Sequence, residues 1–331
     1  MKLGSTRWNV VALVLAGVVA VAGLVWLAVV TAGDEMTVEV DTAGGQDAIG
    51  PVDIEADDKK REIVGDGQAV AGQVIDRAED VALSIGLAFP ADAPPARLPR
   101  EQILESLQDL EPKQWGEFVP GVYRRINTDE PKIALTLDAC GGGYDEELVE
   151  FLRDERIGAT IFVTGLWINA HREVLEQLAE DPLFEIANHG LEHLPCSVTG
   201  KEAAGIEGTA SVEEAYDEIE ENARRIEAVT GQRPRFYRSG TAHYDEVCTR
   251  IARKTGHRTA GFDVVGDMGA VYDSDEVYEA VTAAGSGSII LVHMNRPDGD
   301  TAAGLKRAIP ELVDQGFEFV RLSDVVLQPG W

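Results

Sequence analysis

The stretch KIALTLDACGGGYDEEL, residues 132–148, decides how the rest of the chain is read. An apolar, β-rich run ends on one carboxylate, Asp138. It passes at once into Cys140 and the glycines 141–143, and then into a helical pattern. A strand that delivers a carboxylate to its C-terminal end and turns into a helix is the repeating unit of α/β folds, whose sites lie at those strand ends. The glycines either open backbone conformations that let a substrate come close or make a flexible turn before the helix.

Working outward, the same unit recurs. ATIFVTG precedes HREVLEQLAED, and FEIANH precedes, after a loop, SVEEAYDEIEENARRIEAVTG. RFYRSG leads into DEVCTRIARKTG, TAGFDVVGD into DSDEVYEAVTAAG, and SIILVH into TAAGLKRAIPELVDQG, before FEFVRLSD closes the series. Strand-then-helix units running in one direction imply a parallel sheet with crossover helices. Continuous apolar strands such as SIILV imply burial on both faces. The expectation is an α/β domain over residues 113–331, with a closed or nearly closed (β/α) barrel favoured over an open sheet.

Five of these strands finish on a group able to do chemistry: Asp138, His189, Arg238, Asp263 and His293. In a barrel such ends converge on one mouth. His189 and His193, in NHGLEH, have a spacing at which two neutral imidazoles share a zinc-type metal or form a surface pair.

Ahead of this domain, WNVVALVLAGVVAVAGLVWLAVV is an uncharged run of about 23 residues, enough for a helix to cross a ~30 Å hydrocarbon core. Lys2 and Arg7 precede it, and Asp34 and Glu35 follow it. The positive-inside rule then puts the N-terminus in the cytoplasm and everything after the span outside. Residues 1–32 are thus read as a single-pass anchor in the cell membrane, favoured by the length of the run over a cleaved signal peptide, with the lipid bilayer as a partner and the catalytic part extracytoplasmic. Residues 33–112 read as an acidic, partly helical linker. With 58 acidic against 29 basic residues and a net charge of −29, the surface repels nucleic acid.

TLDACGG, NHGLEH, FYRSG and ILVH, in that order and on those strands, resemble the motifs of the polysaccharide deacetylase (NodB-homology) family, carbohydrate esterase family four. The resemblance spans roughly residues 130–327. It implies a distorted (β/α)7 barrel preceded here by the transmembrane helix and acidic linker. It also implies a hydrolase of carbon–nitrogen bonds other than peptide bonds, acting on an acetylated polysaccharide or amino-sugar glycan with a divalent metal: Zn2+, or alternatively Co2+ or Ni2+. By position, Asp138 matches the family's catalytic base, His189 and His193 its metal-binding histidines, Arg238 the arginine that orients the base, and His293 the general acid. Asp263 or Asp267 would orient His293.

One departure qualifies the match. The family's second adjacent aspartate, a metal ligand, is replaced here by Ala139. Three outcomes follow: Asp138 moves onto the metal, Cys140 supplies a thiolate, or the site is degenerate. A disulfide between Cys140 and Cys196, which follow neighbouring motifs, is expected in an extracytoplasmic domain and competes with Cys140 as a ligand. After Arg238, His243, Tyr244 and Asp245 either line the cleft or cap the next helix. Cys248 reads as a buried thiol, and His171 and His257 as surface residues. The leading function is a membrane-anchored, extracytoplasmic, metal-dependent polysaccharide deacetylase. The alternatives are a glycan-binding domain that has lost catalysis and an amidohydrolase of a small carbon–nitrogen substrate. Retention of Asp138, Arg238 and His293 together favours catalysis.

Overall fold

The computed structural model describes residues 95 and 97–329 and, as backbone strands alone, Val14–Ala20, Gly23–Ala32 and Glu35–Thr42. Those three strands form an antiparallel meander within a separate unit, residues 1–77. The expected membrane helix falls there. The described segments are strands, the residues between and before them lie outside the described residues, and no described helix is long and apolar enough to cross a membrane. Most of the expected acidic linker also lies outside the described residues.

The domain opens with helix α1 (Arg100–Leu107), followed by strand β1 (Val122–Ile126). The units then alternate: β2 (Lys132–Ala139), α2 (Glu146–Asp154), β3 (Ala159–Val163), α3 (Gly165–Ala170) and α4 (Arg172–Glu180). Next come β4 (Phe184–Asn188), α5 (Val212–Thr230), β5 (Phe236–Tyr237), α6 (Glu246–Lys254), β6 (Arg258–Ala260) and β7 (Val264–Val265). The series ends with α7 (Ser274–Thr282), β8 (Ile289–His293), α8 (Thr301–Asp314), β9 (Glu318–Phe319) and β10 (Leu327–Pro329). Five described helix starts use side-chain caps: Asp145, Thr164, Ser211 and Asp245 each accept a backbone N–H, and Asp273 forms a full capping box with Glu276.

The main sheet runs in the order β7-β8-β2-β3-β4-β5-β6-β1-β10, with β9 paired beside the start of β2. Every pairing along the main path is parallel except the last, β1 with β10. The sheet is curled, with a single antiparallel bridge between Arg125 and Ser288 reaching across from β1 toward β8. The seven even strand–helix units of the expected barrel are therefore replaced by a less regular, half-barrel sheet in which β5, β6 and β7 are only two or three residues long.

Strand β2 shows how burial is arranged. Ile133, Leu135, Leu137 and Ala139 enter the apolar layer shared with α2, α3, α4, α7 and α8, whereas Ala134 joins the inner cluster with Phe162, Ala187 and Phe236. Side chains alternate along a strand, so Thr136 and Asp138 share the inner side with Ala134. Helix α1, expected to belong to the linker, packs its Ile103 and Leu107 into a third cluster with Tyr216, Ile219, Val247 and Ile251. The packed domain thus begins before residue 113.

Candidate active site

Register brings the two proposed acid–base groups side by side. β8 pairs with β2 so that His293 stands opposite Asp138 at the C-terminal ends of both strands. Asp138 is buried at 2% exposure, and its Oδ1 accepts a 2.7 Å bond from Arg238 Nη1. Arg238 is itself fully buried and fixed by Thr136 Oγ1 at 3.0 Å and by the carbonyls of Ala260 and Gly261 at 3.1 and 3.0 Å, with its guanidinium 4.2 Å above the Phe162 ring. Burial alone would raise the Asp138 pKa. The Arg238 charge, with His189 and His293, outweighs it and holds the carboxyl below its ordinary range.

On the other side, Asp267 settles which carboxylate serves His293. Its Oδ1 lies 2.9 Å from His293 Nδ1, and its Oδ2 accepts the His293 backbone N–H at 2.6 Å and the Thr301 hydroxyl at 3.0 Å. Burial would lower the His293 pKa, but the bond to Asp267 and the nearby Cys140 push it well above the ordinary histidine value. Asp263 plays a different part. It accepts the Ile289 N–H at 2.8 Å and the Ser288 hydroxyl at 3.1 Å and pairs with Arg125, which holds the start of β8 and leaves it no bond to His293.

The donors expected to hold metal come together, with one substitution. The ligand atoms of Cys140, His189 and His193 all lie within 4.8 Å of one another. His189 Nε2 is 3.4 Å from Cys140 Sγ and 3.5 Å from Asp138 Oδ2, while its Nδ1 lies 2.9 Å from the Arg238 carbonyl. That carbonyl can only accept, so Nδ1 carries a proton and Nε2 is the nitrogen that faces the cluster, free to offer a lone pair once it gives up its own proton. Burial would raise the Cys140 pKa; the surrounding imidazoles, His189 foremost, pull it well below the ordinary thiol value. One soft thiolate and two imidazoles suit a zinc-type divalent metal by donor chemistry.

Residues 125–260 match the family model for polysaccharide deacetylase. This stretch of the domain is similar to the polysaccharide deacetylase family. The chain is 23% identical over 211 residues to the peptidoglycan-N-acetylmuramic acid deacetylase PdaA of Bacillus subtilis, a match covering 61% of this chain and 74% of that one. It is 24% identical over 206 residues to a peptidoglycan-N-acetylglucosamine deacetylase of Bacillus cereus, covering 61% and 91%. A CE4 family pseudoenzyme from Bacillus anthracis aligns with a TM-score of 0.53 at 22% identity, over 66% of this chain and 70% of that one. At that identity the likeness shows a shared fold and no more.

Against the deacetylase motifs, the chain's own features are now specific. Ala139 is fully buried in the apolar layer and contributes nothing to the site. All three cysteines are free, so the expected Cys140–Cys196 disulfide is absent. Cys140 turns into the donor cluster, while Cys196 is buried with Cys248 in the cluster beneath α1 and α6. Tyr244 and Asp245 are structural: the Tyr244 hydroxyl accepts the Ser239 N–H at 3.1 Å, and Asp245 caps α6. His243 turns its ring toward Trp115, 5.8 Å between centroids.

Several supports escaped sequence reading. Glu218 on α5 accepts the N–H groups of Glu192 and Leu194, each at 3.1 Å, and so braces the loop that carries His193. His193 itself sits at φ 64, a left-handed conformation that costs free energy and recurs at functional sites. The glycine loop is clasped by Asn295 on the Gly141 carbonyl at 2.6 Å, Trp167 on Gly143 at 2.9 Å and His171 on Gly142 at 2.8 Å. His171 is therefore a loop support, at the kink between α3 and α4. His257, expected on the surface, is fully buried, and burial pushes its pKa down to about 3. The intervals H-x3-H and D-A-C were visible in sequence; these braces come from distant elements and carry no local signal.

Proposed function

We propose that the domain hydrolyses acetamido groups on a glycan of the cell envelope, releasing acetate and leaving a free amine. The observation that supports this best is the paired arrangement of Asp138 and His293. Each has its own buried partner, Arg238 or Asp267, and both face the Cys140, His189 and His193 donors.

The opposite pKa shifts divide the labour. Asp138, held ionised, takes the proton from the water that attacks the acetyl carbon. His293, held protonated, gives its proton to the departing nitrogen as the carbon–nitrogen bond breaks. Arg238 keeps Asp138 aimed and charged, and Asp267 fixes the His293 ring so that its other nitrogen faces the reacting group. His189 and His193 would hold a divalent cation, which when bound supplies the Lewis acidity that polarises a carbonyl and makes water more acidic.

The named relatives act on peptidoglycan, which makes an N-acetylated envelope glycan the first substrate class to test. The apolar run at residues 8–30 would hold the domain at the outer face of the membrane, close to such a glycan. A second reading, glycan binding without hydrolysis, draws on Ala139 in place of a ligand. The retained base, orienting arginine and acid argue against it, since binding alone needs none of the three. The test is acetate release from peptidoglycan fragments by the purified protein, before and after chelation and zinc readdition. Zinc-restored acetate release supports hydrolysis. Retained glycan binding with no acetate under any added metal would give the domain to the second reading.

A further inference from the structure

We infer that Cys140 replaces the missing aspartate as the third protein ligand, making a Cys-His-His site for a thiophilic divalent cation. The inference rests on the proposed hydrolytic reading and sharpens it by assigning the metal donors and leaving Asp138 as a base.

Strand periodicity supplies the first argument. Position 139 points into the apolar layer between sheet and helices, whereas 138 lies on the inner side, so the next residue able to turn inward is 140. The chain leaves β2 after Ala139. The left-handed Gly142 then allows a turn in which Gly143 N–H donates to the Asn295 carbonyl at 3.0 Å. The glycines therefore shape the bend that carries Cys140 past the strand end and into the donor cluster.

Donor geometry supplies the second. With Zn–S of ~2.3 Å and Zn–N of ~2.0–2.1 Å, sulfur and nitrogen lie about 3.5 Å apart in a tetrahedral site. Cys140 Sγ and His189 Nε2 are 3.4 Å apart, and His193 completes a set within 4.8 Å. His189 is already oriented by its Nδ1 bond to the Arg238 carbonyl, the arrangement that steadies histidine ligands. Three protein ligands leave one position open, as catalytic sites require.

The third argument concerns Asp138. Its Oδ1 is committed to Arg238 at 2.7 Å in a fully buried pair, and Arg238 is pinned by three further bonds. Arg238 leaves only Oδ2, 3.5 Å from His189 Nε2, to face the cluster, and that is the one oxygen with which Asp138 can take a proton from water if Cys140 fills the ligand place. A thiolate beside two imidazoles then favours zinc or cobalt over magnesium, calcium or manganese.

The test is a titration of the full chain, purified in detergent without metal, with Co2+. Wild type should bind about one Co2+ and show a near-ultraviolet sulfur-to-cobalt charge-transfer band. Cys140→Ser should lose the band and bind more than about 100-fold more weakly, beyond the range typical of outer supporting residues. Cys140→Asp should bind Co2+ without the band. Stoichiometric Co2+ binding by wild type with no sulfur band would overturn the Cys140 assignment while leaving the hydrolytic reading intact. If neither Co2+ nor Zn2+ binds wild type, the assignment and the metal-dependent reading both fall.

Discussion

Gly240 is a position where a single methyl group has a calculable effect on the site. A Cβ built there would lie 2.0 Å from the His193 carbonyl oxygen, 2.3 Å from its carbon and 3.0 Å from its Cα. All three are backbone atoms, so no flexible side-chain end can move aside. Relief to the shortest tolerable contact requires the His193 backbone to shift by about 1 Å, several times the ~0.2 Å latitude of a metal–ligand bond. Overpacking of this kind costs about 1–3 kcal/mol, roughly 2–12 °C in Tm for a domain of this size. Gly240→Ala should therefore lower Tm by that amount and weaken Co2+ or Zn2+ affinity by about 10–100-fold. Gly285→Ala, with nothing within 4 Å of its added methyl, is the control and should leave both unchanged. Calorimetry paired with a chelator-competition titration measures the two effects. Wild-type Tm and metal affinity in Gly240→Ala would refute the claim that close backbone approach at residue 240 sets the place of His193.

Other consequences follow from the same contacts. Arg238→Leu leaves the Asp138 carboxylate buried without its partner and should cost about 3–5 kcal/mol in denaturant unfolding. Adding Asp138→Asn to that variant should recover part of the loss; no recovery would mean the Arg238 contribution is packing rather than charge. Asp267→Asn should lower kcat by about 10²–10⁴-fold by releasing the His293 ring, whereas Asp263→Asn, which holds only the start of β8, should leave kcat near wild type. Equal losses in the two variants would remove Asp267 from its positioning role. Glu218, raised by burial from 4.5 to about 7, binds its proton more tightly in the folded state than in the unfolded one. Its contribution to stability is complete below pH 4.5 and disappears as pH rises through 7, a swing on the order of 3 kcal/mol. Tm measured across that window should fall more steeply in wild type than in Glu218→Gln; parallel curves would show that Glu218 does not titrate there.

Much of the site was legible because a strand-terminal polar residue interrupts an apolar pattern. Asp138, His189, Arg238 and His293 all announce themselves this way, and their strands lie in one sheet with the expected direction. The choice between Asp263 and Asp267 was not legible, since the two flank the two-residue strand β7 and nothing local in the sequence says which of them reaches His293. Cys140 was ambiguous for a similar reason. A cysteine just past a strand end satisfies a disulfide and a metal cluster equally well until the path of the Cys196 segment is known, and that segment runs beside Tyr244 instead. His257 was misread because loop composition says nothing about which distant surface covers it, and the bond of His171 to the Gly142 carbonyl likewise carries no local signal. The early helix α1 was misassigned to the linker because its partners, Tyr216 and Val247, lie more than a hundred residues away.

The most direct measurement is product analysis on N-acetylated peptidoglycan fragments, comparing wild type with Asp138→Asn after both are loaded to the same metal content. The account predicts acetate and free amine in equal amounts from wild type, and neither above background from Asp138→Asn. Equal turnover by the two proteins, or no acetate from fully loaded wild type, would contradict it.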